Sequence, residues 1–144
     1  MAITSAICNS FKVQILTGTH NFTVTSGDTF NLALYTSSAT LNKSTTVYIT
    51  TNEVATATGY TAKGKALTSV TPVLSSDTAV CDFANVSWTS ASFTSRGCLI
   101  FNDSVATDPA VCAIDFGGDK TVTSGTFTIE FPAASAGTAI IGIA

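Results

Sequence analysis

Charge is what this chain has least of. Only 10% of its 144 residues are Asp, Glu, Lys or Arg, there is one His, and no apolar run is long. Each scarcity removes a class of function. The six basic residues, Lys12, Lys43, Lys63, Lys65, Arg96 and Lys120, are scattered through a chain of net charge −3, so no basic stripe is present to neutralise phosphates. Nucleic acid is not an expected partner. Apolar runs such as Cys98–Phe101 and Ala139–Ile141 fall far short of the roughly 20 residues that a membrane helix needs, and no membrane partner is expected. Met1–Leu16 lacks a basic segment and is interrupted by Asn9, Ser10, Lys12 and Gln14, which predicts no secretory signal and folding in the cytoplasm of the cell that makes the chain.

Residues that carry chemistry are equally sparse. A Ser nucleophile needs a base, and His20, set among Thr17, Gly18, Thr19 and Asn21 with no GxSxG element, reads as a loop residue rather than as that base. Asp115 with Asp119, and Asp103 with Asp108, could supply paired carboxylates. Both pairs lie beside Gly or Pro, where Asp is favoured for its turn geometry. Asn102–Asp108 offers oxygens that suit calcium but has no EF-hand pattern. Cys8, Cys81, Cys98 and Cys112 are too widely spaced for a zinc knuckle and are expected as small buried hydrophobes, although their even number allows a disulfide. The sequons at Asn21, Asn42, Asn85 and Asn102 are what a Ser/Thr-rich chain yields by chance. No enzyme, cofactor or metal is expected.

What the chain does hold is material for β-sheet. Ser and Thr fill 42 positions, hydrophobic residues make up 45%, and there are nine Phe. The length suits one domain, residues 1–144, of a size that buries about 68–70% of its extended surface. A mean hydropathy of +0.40 with so few charges predicts that part of the surface is hidden in a homo-oligomer, a dimer or a trimer. Residues 1–20 read as an N-terminal helix or an extended arm; the helix would span Ser5–Leu16, with Thr4 as N-cap, Ile7, Phe11 and Ile15 on one face and Gly18 as its stop.

From Phe22 the period becomes two. Strands are predicted at Phe22–Val24, Phe30–Leu34, Leu67–Leu74, Thr78–Phe83, within Trp88–Phe101, at Val111–Phe116 and at Phe127–Phe131, with Pro72 marking an edge or a bulge, while Ala139–Ile143 reads as a final short strand or as a tail that docks on a neighbour. Ser37–Ser44, Asn52–Lys65 and Asn102–Pro109 read as exposed loops. Val111–Phe116 and Phe127–Phe131 are expected to form a hairpin across Gly117-Gly118-Asp119 and Ser124-Gly125. The fold class is all-β: a single antiparallel sandwich or jelly-roll-like domain, with a core of Phe30, Leu32, Leu34, Phe93, Leu99, Phe101, Ile114, Phe116, Phe127, Ile129 and Phe131. Arg96, the only Arg, is either a solvent-facing residue of its strand or a guanidinium locking carboxylates or carbonyls at an interface.

Several segments form a pattern: Phe30–Ser38, Asn52–Val54, Thr58–Gly64, Trp88–Gly97, Leu99–Asn102, Ile114–Lys120 and Ser124–Pro132. Together they resemble a family of small tailed-bacteriophage virion structural proteins, over nearly all the chain from Phe30. The cysteines belong to no motif of that pattern. The resemblance implies a virion protein, with head decoration (cement) as the leading role, the major capsid protein as partner and the capsid surface as location. A tail or baseplate component is the first alternative. A receptor- or carbohydrate-binding module is the second, and would use exposed aromatics, for which Trp88, Tyr48 and above all Tyr60 are candidates. Ile7, Phe11, Tyr60, Arg96, Ile140 and Ile141 are the candidate interface residues.

Overall fold

The computed structural model describes residues 2–57 and 59–144. Met1 and Thr58, which fall in the N-terminal segment and in the Thr58–Gly64 motif of the sequence reading, lie outside the described residues. In chain order the elements are β1 (Ala6–Ile7), α1 (Asn9–Leu16), β2 (Phe30–Tyr35), β3 (Lys65–Ala66), β4 (Ser69–Ser75), β5 (Thr78–Phe83), β6 (Val86–Asn102), β7 (Ala110–Ile129) and β8 (Ile141–Ile143). They form an all-β sandwich with a short N-terminal helix. One sheet has strand order β1-β7-β6-β2-β3 and the other β4-β5-β8, and every pairing within the sheets is antiparallel.

The two sheets meet through aromatic rings. Phe30 on β2 and Phe83 on β5 lie 5.9 Å apart, and Phe22 stacks on Phe30 at 4.2 Å, nearly parallel. β2 is buried along its whole length, including Asn31 and Ala33, because β6 and β3 pair with its edges while its two faces are both covered. The alternation of Phe30, Leu32 and Leu34 therefore does not mark one wet face. It lies in a strand buried on both.

The expected hairpin between Val111–Phe116 and Phe127–Phe131 is absent. Val111–Phe116 and Phe127–Ile129 belong to the single strand β7, which pairs with the two halves of β6. The Gly-rich segment makes a bulge instead of a reversal. Ser95 pairs with Lys120 but Gly97 with Asp115, so residues 116–119 on β7 face Arg96 alone on β6, and Gly117 takes a φ of 76° there. Ser90 and Ser124, also at positive φ, accompany further shifts of register. These bulges bend the pair, and the consequence for packing is direct. Phe30, Leu32, Leu34, Leu99 and Phe101 are fully buried, whereas Phe93, Ile114, Phe116, Phe127, Ile129 and Phe131 are half-buried residues packed against the core.

The N-terminal segment is neither one helix nor a detachable arm. Ala6 and Ile7 pair with Ala113 and Cys112, the Thr4 N–H donates to the Leu41 carbonyl at 2.8 Å, and the Cys8 N–H donates to that of Val111 at 3.0 Å. The unpaired edge of β7 claims the backbone that helical spacing would have coiled. The helix accordingly begins after Cys8, which caps it without a side-chain hydrogen bond, instead of after Thr4. Ile3, Cys8 and Phe11 are buried.

Two more expectations fail locally. Phe22–Val24 is not a strand but part of a closed loop, in which the Asp28 N–H donates to the Asn21 carbonyl at 2.7 Å and the Asp28 carboxylate accepts from the Asn21 N–H at 2.9 Å. The segments 37–44 and 52–65 are not simply exposed, since they contribute Ala39, Leu41, Val54 and Tyr60 to the core. Gly64 shows how closely the second is laid down. A Cβ there would lie 1.8 Å from the Leu32 carbonyl oxygen, so only glycine fits.

Truncation separates these regions. Leu99→Ala removes a fully buried side chain and is expected to cost about 2–5 kcal/mol in urea unfolding, while Ile129→Ala, at a half-buried site, costs clearly less. Deleting residues 1–16 strips β1, Ile3, Cys8 and Phe11 from the large sheet and is expected to abolish the cooperative thermal transition rather than leave a stable domain.

Candidate functional site: an apolar groove between the helix and the small sheet

Helix α1 and the small sheet face each other across a groove of about 470 Å³. Phe11 and Ile15, one helical turn apart, form one wall; Ala79, Cys81, Ile141 and Ile143, cross-strand neighbours on β5 and β8, form the other. The 18–23 segment runs between them and supplies His20 and Phe22, both buried. The rim is apolar and wet. Leu16 on the helix is 87% exposed, Leu74 on β4 is 73% exposed and Ile143 is 56% exposed. Leu74 lies in register with Ala79, which lies in register with Ile143, so rim and wall are continuous.

His20 is the one ionisable ring in the groove. Its Nε2 is 2.9 Å from the Gln14 Oε1, and its Nδ1 is 3.2 Å from the Asn102 Nδ2. The amide of Asn102 can only donate there, so Nδ1 is the acceptor and Nε2–H the donor of a neutral imidazole. Burial lowers its pKa below the ordinary 6.5, and the nearby Asp28 carboxylate opposes that only in part. Both nitrogens are therefore occupied in holding α1 to the end of β6. The ring is a structural strut.

The carboxylate pairs of the sequence reading are each bridged by a cation. Lys63 Nζ lies 2.8 Å from Asp103 and 2.8 Å from Asp108, where a bound metal ion would have to sit. Arg96 lies 3.3 Å from Asp115 and 3.4 Å from Asp119. Arg96 thus faces solvent and spans carboxylates at once, in surface pairs worth about 0–1 kcal/mol. Asp82 is different. It is buried, and its Oδ1 accepts from the Phe83 N–H at 2.9 Å. Burial raises its pKa above the ordinary 3.8.

The candidate interface residues scatter. Phe11 and Ile141 come together as opposite walls of the groove, with Ile140 half-buried beside Ile141. Ile7 is half-buried in β1 and Arg96 is on β6, both in the large sheet. Phe11, Tyr60 and Ile141 are buried within the chain, so they hold the domain together before they can meet any partner. Tyr60, expected as the most exposed aromatic, is only 2% exposed, and its hydroxyl donates to Glu53 at 2.7 Å. Trp88 is buried against Tyr60, Phe93 and Phe127. The exposed stacking platform that a sugar-binding module needs is not formed by these residues. Leu16, Leu74 and Ile143 were missed, because nothing in their local sequence separates a rim residue from a core one.

All four cysteines are buried free thiols, as expected, and no disulfide links them. Burial pushes the pKa of Cys8 up to about 11 and that of Cys81 up to about 12.

The buried carboxylate yields a prediction with a definite sign. A group whose pKa is raised by folding contributes stability that is present below its unfolded value and lost as pH rises through its folded value. Asp82→Asn, which cannot ionise, is therefore expected to melt higher than the wild type near pH 7 and to lose that advantage near pH 3, as measured by thermal denaturation across pH.

Comparison of the chain with protein-family models, with curated proteins and with solved structures gives no match in any of the three.

Proposed function

We propose that the protein is a structural component of a bacteriophage virion, a decoration protein that assembles as a homo-oligomer on the major capsid protein shell and reinforces the head. The observation that carries this reading is the apolar groove and its rim, where charge is sparse. Leu16, Leu74 and Ile143 stand exposed around an apolar groove, and the segments 13–27, 66–76 and 131–144 that surround it contain no charged residue. A surface depleted in charge and rich in apolar side chains is what the core of a protein interface requires. The segments resembling phage virion proteins supply the class of partner.

Reinforcement needs no chemistry. A module that bridges several shell subunits adds many weak contacts that must break together, which raises the free energy of separating them. The surface left for the shell is the outer half of the β6–β7 pair. It is polar and Thr-rich, and beyond Ile114 the far edge of β7 pairs with no strand among the described residues. Its Lys120 and Asp119 discourage uncontrolled strand addition. The N-terminal segment is not the tether in this reading, since it is built into the large sheet.

Heads assembled without the protein are expected to have normal geometry yet to release DNA at lower temperature or under osmotic shock, and purified protein added back should restore their resistance. Heads that are equally robust but tailless or noninfectious would remove the decoration reading and leave a tail component in its place.

A further inference from the structure

We propose that the groove between α1 and the small sheet is closed by a second copy of the same chain, the two copies related by a two-fold axis running along the groove. This deepens the homo-oligomer reading above, on which it rests, by naming the surface that pairs.

A two-fold interface uses the same patch on both copies, so that patch must complement itself. This one carries both halves of a fit. The depression is lined by Phe11, Ile15, Phe22 and Ile141, and the projections, Leu16, Leu74 and Ile143, stand on its rim. Among the described residues, the large hydrophobic side chains left exposed are Val13, Leu16, Val24, Val70, Val73, Leu74 and Ile143, and all lie on α1, on the 18–28 loop or on the small sheet. The cavity beside Phe116, Phe127 and Ile129 on β7 is nearly as large, about 410 Å³, but it is flanked by the charged Lys120 and Glu130.

Electrostatics point to the same occupant. Each copy carries a net charge of −3, so two copies repel unless they meet where charge is missing, and the segments around the groove are that place. The neutral His20 adds no buried charge when the groove closes. The charges that remain at the margins are opposite in sign. Lys12 is one turn before Leu16 on the helix rim, and Asp77 is in the β4–β5 turn just after Leu74 on the sheet rim. A two-fold axis along the groove lays the helix rim of one copy over the sheet rim of the other. Lys12 of each copy then approaches Asp77 of its mate.

Strand-to-strand pairing along β4 is the competing geometry. Pro72 stands in the middle of that edge without an N–H to donate, which weakens any added strand. Burial of side chains in the groove does not need that donor.

The test is the mass of the full chain in solution by analytical ultracentrifugation. A dimer is expected. Leu74→Glu, at an exposed position that folding does not need, is expected to give a monomer with unchanged circular dichroism and a melting transition that no longer depends on protein concentration. Lys12→Glu and Asp77→Lys should each weaken the dimer about tenfold by placing like charges together, and the double variant should regain most of that loss. A wild-type mass of one chain or of three overturns the proposal, as does a dimer indifferent to Leu74→Glu or a double variant without recovery. Binding to undecorated heads is measured separately. A monomer that binds heads removes this pairing alone, and a dimer that ignores them removes the decoration reading alone.

Discussion

The Glu53 carboxylate fixes the longest connection of the fold, residues 36–64, against the buried strand β2. One oxygen accepts from the Tyr60 hydroxyl at 2.7 Å and the Lys63 N–H at 2.8 Å; the other accepts from the Tyr48 hydroxyl at 2.5 Å. Tyr60 in turn accepts from the Leu34 N–H at 2.9 Å, so the carboxylate reaches the backbone of β2 through a phenol. Val54, next in sequence, donates its N–H to the Leu34 carbonyl at 2.8 Å. A connection this long and without regular structure is costly to order, and a polar network whose members are mutually satisfied is one of the few devices that can hold it. Burial raises the pKa of Tyr60 and Tyr48 well above the ordinary 10, and the hydrogen bond to Glu53 adds to that, which keeps both phenols protonated as donors.

That network explains which parts of the structure were legible in the sequence. The all-β class followed from period-two segments and turn residues. The long strand from Trp88 to Phe101, the β4–β5 hairpin with its edge Pro72 and the final short strand followed from the same signals. Distance in sequence hid the rest. Nothing near Glu53 shows that it will meet Tyr48 and Tyr60, so Tyr60 between Gly59 and Thr61 looked like the tip of a loop. Gly117-Gly118-Asp119 has the composition of a turn, and only the presence of a continuous β6 opposite turns it into a bulge. The helix lost its first turn for a similar reason, because the edge of β7 is a stronger customer for Ala6 and Ile7 than a marginal helix of eight residues.

Several of the segments singled out in the sequence coincide with these scaffold features. Glu53, Gly64, Trp88, Gly97 and the Ile114–Lys120 bulge set the path of the chain, and none of them borders the groove. What they specify is a shape. The surface through which that shape would act is assembled from stretches outside the pattern: the helix, the 18–23 segment and the small sheet. In the proposed pairing the exposed rim positions Leu16, Leu74 and Ile143 can vary without disturbing the scaffold, whereas Phe11 and Ile141 belong to the core and cannot.

The four buried thiols carry a practical corollary. Nucleophilic attack on a maleimide or a disulfide needs the thiolate; burial at Cys8, Cys81, Cys98 and Cys112 withholds that form, and at Cys8, Cys98 and Cys112, away from the groove, it also blocks access. The folded chain is in effect already silent toward such reagents. A cysteine introduced on the surface can take a fluorophore or a spin label while the four native ones stay in place, and their appearance as reactive groups would report that the domain has opened.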